Sequence, residues 1–122
     1  VIVAGPPASD IINASATANS TGIVTVPGGR WFTANVQLSA SHTIAGTAIP
    51  RVTYVVPGGT SGAAPGNGSV LARLSVTGLA LTTITDSNTT EILVWGGDNG
   101  CTLDFNTGGA SSASVTINGF LL

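Results

Sequence analysis

TEILVWGGDNGCTLDFNTGGASSASVTINGFLL, residues 90–122, is where the fold reads most directly. Branched and aromatic residues gather in 91–95, and Gly96-Gly97-Asp98-Asn99-Gly100 then turns the chain. Residues 101–105 alternate, with Cys101, Leu103 and Phe105 on one face and Thr102 and Asp104 on the other. A second glycine turn covers 106–109. Beyond it, Ala113, Val115, Ile117 and Leu121 share one side, and Ser114, Thr116 and Asn118 the opposite one. Successive side chains of a strand point to opposite faces, so a period of two broken by Gly, Asn and Asp clusters marks half-buried antiparallel strands.

The same period extends upstream. In 30–40, Phe32, Ala34, Val36 and Leu38 form an apolar face that belongs in a core. Thr33, Asn35 and Gln37 form the other, with Trp31 beside them, and that face is either solvated or a subunit contact. Residues 51–56 place Val52, Tyr54 and Val56 together, and 69–77 turn Val70, Ala72, Leu74 and Val76 inward, continued by 79–85 after Gly78. Weaker strands are expected at 10–18 and 23–26. Asn19-Ser20-Thr21-Gly22, Pro27-Gly28-Gly29 and Asp86-Ser87-Asn88 read as turns. Residues 41–50 read as a loop, and PGGTSGAAPGNG (57–68) as a longer one without an apolar anchor, the most mobile part of the chain. No helical period persists and no repeat is visible. The chain is therefore predicted to be all-β: an antiparallel β-sandwich, a jelly roll of about eight to ten strands. Residues 10–122 make the domain. Residues 1–9 are expected to form an extended N-terminal arm, because Pro6-Pro7 block a helix and Val1, Ile2 and Val3 have no evident partner in their own domain.

Composition narrows the function. A chain of 122 residues can bury a real core. Only 7% of residues are charged, yet 43% are apolar, which argues against disorder. No run approaches the ~18 apolar residues of a membrane helix. Solubility rests on Ser, Thr, Asn and Gly, a surface with little self-repulsion that suits life in an assembly. A net charge of −2, with Arg30, Arg51 and Arg73 as the cations, lacks the basic patch that nucleic acid needs. There is no Met, so the start at Val1 is expected to be a processed or trimmed N-terminus, and no signal peptide is visible.

Candidate chemistry is sparse. The lone cysteine excludes an internal disulfide; Cys101 alternates with core residues and reads as a small buried hydrophobe, with an intersubunit or reactive thiol as the alternative. A Cys101–His42 dyad lacks an orienting third group, and His42 reads as a solvated loop residue. Asp98 in its turn, or Asp86 with Glu91, offers calcium too few carboxylates, and an Asp in a glycine turn more often bonds its own backbone. The expectation is no catalytic residue, no cofactor and no metal. Trp31, Trp95 and Phe120 fall on the second face of their strands, either as a partner contact or as caps on the ends of the core.

The run EILVWGGDNGCTLDFNTGGASSASVTINGFLL resembles the end of the tumour-necrosis-factor/complement-globular-head jelly-roll superfamily, through Leu93, Gly97-Asp98, Leu103 and Gly119-Phe120-Leu121-Leu122. TVPGGRWFTANVQLSAS resembles that family's second motif, through Val26-Pro27, Gly29, Trp31-Phe32 and Val36–Leu38. Loop 57–68 has no counterpart in it, and the domain is expected to lack a preceding collagen-like stalk. The resemblance implies a tight homotrimer, and the outward-facing Trp31, Trp95 and Phe120, with Leu122, are the expected interface. With the composition, it leads to an expected role as a virion surface protein: a trimeric decoration (cement) protein on a phage head. The arm (Val1, Ile2, Val3, Pro6, Pro7) would then contact the major capsid protein or another virion protein. The alternative is a receptor- or carbohydrate-binding head of a tail fibre, spike or bacterial surface protein, with Trp95 by Asp98-Asn99 or Trp31 by Asn35 as its site. A further option is a monomeric immunoglobulin-like accessory domain.

Overall fold

A computed structural model describes residues 5–57 and 70–122. Ten strands follow one short 3-10 turn, Ala8–Asp10: β1 (Ile11–Ala16), β2 (Ser20–Val26), β3 (Trp31–His42), β4 (Gly46–Ala48), β5 (Arg51–Val55), β6 (Val70–Arg73), β7 (Val76–Gly78), β8 (Ile84–Trp95), β9 (Cys101–Asn106) and β10 (Ser112–Leu121). One sheet has the order β1-β10-β3-β8, the other β2-β9-β5-β6, and β4 pairs with β7 alone. Every pairing is antiparallel. Setting the small β4–β7 pair aside, the first sheet takes the first, eighth, third and sixth strands, and the second takes the second, seventh, fourth and fifth. That interleaving defines a jelly roll and separates it from an immunoglobulin-like sandwich.

The core is the pair of inner faces. Phe32, Val36 and Leu38 of β3 and Val115 and Ile117 of β10 meet Val24, Val26, Val52, Leu103 and Phe105 of the other sheet, all essentially sealed from solvent. Phe32, Ala34, Val36, Leu38, Cys101, Leu103, Phe105, Ala113, Val115, Ile117 and Leu121 are all buried, as the alternation requires.

The two glycine turns of the terminal stretch close no hairpin; each carries the chain from one sheet to the other. At one end of the sandwich the 96–100 turn locks onto the 27–30 turn. Gly29 N–H donates to Gly97 O at 2.7 Å, and Gly96 N–H donates to Arg30 O at 2.9 Å. A Cβ on Gly96 would collide with Pro27 O, and one on Gly28 would lie 2.6 Å from Asp98 O, so close backbone approach excludes side chains here. At the opposite end Gly108, with φ +64°, sits against Ile49 O and accepts the Ile49 N–H at 3.2 Å.

Several local expectations are corrected. Asp86, Ser87 and Asn88 are not a turn: β8 pairs with β3 without a break from His42↔Ile84 to Trp31↔Trp95, and that ladder overrides their turn preference. The 41–50 loop contains β4, and His42 ends β3 as a buried residue. Residues 79–82 form a bridged turn, not a strand. Val56 is exposed although Val52 is buried and Tyr54 packs on the core. The mobile-loop expectation for 57–68 falls almost wholly on residues 58–69, which lie outside the described residues, as do Val1, Ile2 and Val3 of the arm. Pro6 and Pro7 are exposed and lead into the 3-10 turn.

Candidate functional site

The outer face of the β1-β10-β3-β8 sheet is laid out in rows set by register. One row runs Ile11, Phe120, Thr33, Leu93 across the four strands. Beside it Trp31 and Trp95 are direct cross-strand partners, with ring centroids 5.1 Å apart at a 43° tilt. Leu122 joins them, its N–H donating to Trp31 O at 2.8 Å. Both tryptophans remain 44% exposed, Leu93 58% and Leu122 60%. Thus Trp31, Trp95, Phe120 and Leu122, well separated in sequence, come together at one end of one face. Ile11 and Leu93 belong to the same patch and were missed, because each sits in a short or mixed segment where outward orientation shows only once register is known. A contiguous apolar patch of this kind is uncommon on a solvated surface.

The next row is Asn13, Asn118, Asn35, Glu91. Between it and the Phe120 ring lies a shallow depression of about 260 Å³, lined by Thr33, Ala34, Asn35, Glu91, Asn118, Gly119 and Phe120. The rest of the face is hydroxyls and one amide, with Ser15, Thr116, Gln37 and Thr89 in one row and Ser112, Ser41 and Thr85 in another. Glu91 is the one ionisable side chain in these rows. A face that is apolar at one end and neutral-polar at the other can bury its first part in a protein contact, or stack a sugar ring and bond its hydroxyls.

An ion pair borders the patch. Arg30 Nη1 and Nη2 donate to Asp10 Oδ1 and Oδ2 at 2.9 and 3.1 Å, and Arg30 Nε donates to Leu122 O at 3.3 Å. This fork joins the segment after Pro7 to the last residue. The hydrogen bonds from Arg30 hold the Asp10 carboxyl below its usual range, and Asp10 in turn raises Arg30.

The remaining candidates do not converge. Cys101 is buried at the Trp95 end, its thiol donating weakly to Trp95 O at 3.9 Å, and burial pushes its pKa up. His42 lies at the other end of β3, its Nδ1 accepting the Ser111 N–H at 3.3 Å, so the two make no dyad. Asp86 and Glu91, five residues apart on one strand, point to opposite faces. No cluster of three or more His, Cys, Asp or Glu suited to a metal occurs among the described residues. Asp98 and Asn99 lie in the 96–100 turn that directly follows Trp95, at the same end of the sheet as the Trp31–Trp95 pair. A larger hollow of about 470 Å³ between Val26, Val56, Pro57 and Asn99 offers no exposed ionisable group. No protein-family profile, curated protein or solved structure matches this chain.

Proposed function

We propose that this jelly roll is a structural protein of a virion surface, a homotrimeric decoration (cement) protein of a phage head, related to the tumour-necrosis-factor/complement-globular-head superfamily. The observation that carries the reading is the patch of Trp31, Trp95, Leu93, Phe120, Leu122 and Ile11, held on a rigid sheet in a chain with few charges to keep copies apart. Burying it between copies removes apolar area from water at about 25 cal/mol per Å². Exposed tryptophans are favoured anchors of such contacts. The interleaved strand order is the one the motif resemblance implies, which supports the relationship as a proposal. The arm, with Val1, Ile2, Val3, Pro6 and Pro7, would reach the major capsid protein or another virion protein. Deleting residues 1–8 and mixing the product with undecorated shells tests this: loss of occupancy supports the arm as the anchor, and full occupancy removes it.

The depression lined by Asn35, Glu91, Asn118 and Phe120 favours a second reading, a carbohydrate-binding head. A glycan array separates the two. Saturable binding abolished by Asn35→Ala supports the head, and an array without binders removes it.

A further inference from the structure

The second sheet carries a different arrangement on its outer face. Arg51 of β5 has Arg73 of β6 directly opposite on one side and Asn106 of β9 on the other, so one register row runs Arg73, Arg51, Asn106. All three point away from the core, because their neighbours Val52, Ala72 and Phe105 are buried in it. Two cations placed directly across a strand pair repel each other. This chain has three cations in all, and the other one, Arg30, is engaged by Asp10. Neither Arg51 nor Arg73 has an ion-pair partner, and residues 1–4 and 58–69 contain no acid that might supply one. The carboxylate on the adjoining row is Asp104, which is buried with its Oδ1 accepting the Gly22 N–H at 2.8 Å. Arg51 Nη1 donates to Ile49 O at 3.2 Å, while its Nε is buried without an acceptor among the described residues. Asn106 is also oriented for donation: its Oδ1 is taken by the Gly108 N–H at 2.7 Å, leaving its amide NH2 as the outward donor.

We propose that the Arg73–Arg51–Asn106 row is an oxyanion site that takes a phosphate or sulfate group. A tetrahedral dianion balances two guanidinium charges, and its oxygens can accept from both planar forks at once, with the Asn106 amide as a further donor. Binding turns a repulsive pair into a bridged one. The site lies on the opposite sheet from the tryptophan patch and is independent of the trimer proposal.

The test is an NMR titration of the full chain, following the arginine Nε–H signals, with inorganic phosphate, sulfate, and chloride at matched ionic strength. Saturable shifts of the Arg51 signal with phosphate and sulfate are expected, with the Arg30 signal unmoved. Arg73→Gln should weaken binding by about tenfold, the size of one lost charge-assisted contact, and Arg73→Lys should restore part of it. Arg73 is exposed at a sheet edge, so both variants keep the fold. Glycerol phosphate as a fourth titrant separates a group carried on a larger molecule, which then binds like inorganic phosphate, from a free anion, where the ester binds far more weakly. Shifts that match chloride, or that survive Arg73→Gln unchanged, overturn the proposal.

Discussion

Single residues hold this sandwich together at its ends, and their partners are far away in sequence. Asp10 and Arg30 are 20 positions apart, and Gly22 and Asp104 are 82 apart, so neither contact is legible in a linear reading. The alternation puts Asp104 on the outer face; it is buried there beside Thr53, and the irregular β2–β9 register goes with the Gly22 N–H that its Oδ1 accepts. The pH behaviour of the Arg30 fork has a definite sign. Because Asp10 titrates below its unfolded value, its pair stabilises the fold fully above the ordinary carboxylate range and is lost as pH falls from there through its lowered value. Wild type should therefore be more stable than Asp10→Asn at neutral pH, with the gap closing below about pH 4, as urea titrations across pH would measure. Gly108 combines φ +64° with backbone contact at Ile49, so Gly108→Ala should cost about 2 kcal/mol or more in the same assay. The Cys101 thiol, buried and raised, should react with a disulfide reagent only as fast as the protein opens.

Strands were the most readable level. Where one face is buried, a period of two survives in the residues themselves, so β3, β9 and β10 are plain in the sequence. Asp86-Ser87-Asn88 failed because a local turn preference competes with a ladder that forms only when β3 lies alongside; likewise His42 looks like loop until that pairing extends past Ser41. The rows that build the apolar patch depend on register across four strands, and no single strand carries that information. In β3 both edges are paired, Gln37 meeting Thr116 on one side and Thr89 on the other. Gln37→Pro should then abolish cooperative folding, while Gln37→Thr changes stability by less than about 0.5 kcal/mol, since it alters only an exposed side chain. Circular dichroism melts distinguish these outcomes. Leu38→Ala, which empties a sealed core position on the same strand, should cost about 2–5 kcal/mol.

At the level of the whole molecule, the two outer faces differ in kind. One gathers tryptophan, phenylalanine and leucine at one end and neutral hydroxyls at the other; the opposite sheet presents paired arginines. The proposed assembly rests on the first, and sedimentation velocity at micromolar concentration, read with tryptophan emission, tests it most directly. The expected result is a species of three times the 11.9 kDa chain mass with blue-shifted emission, reduced to a single folded chain by Trp95→Ser. A wild-type protein that sediments at 11.9 kDa with the emission of hydrated indoles contradicts it.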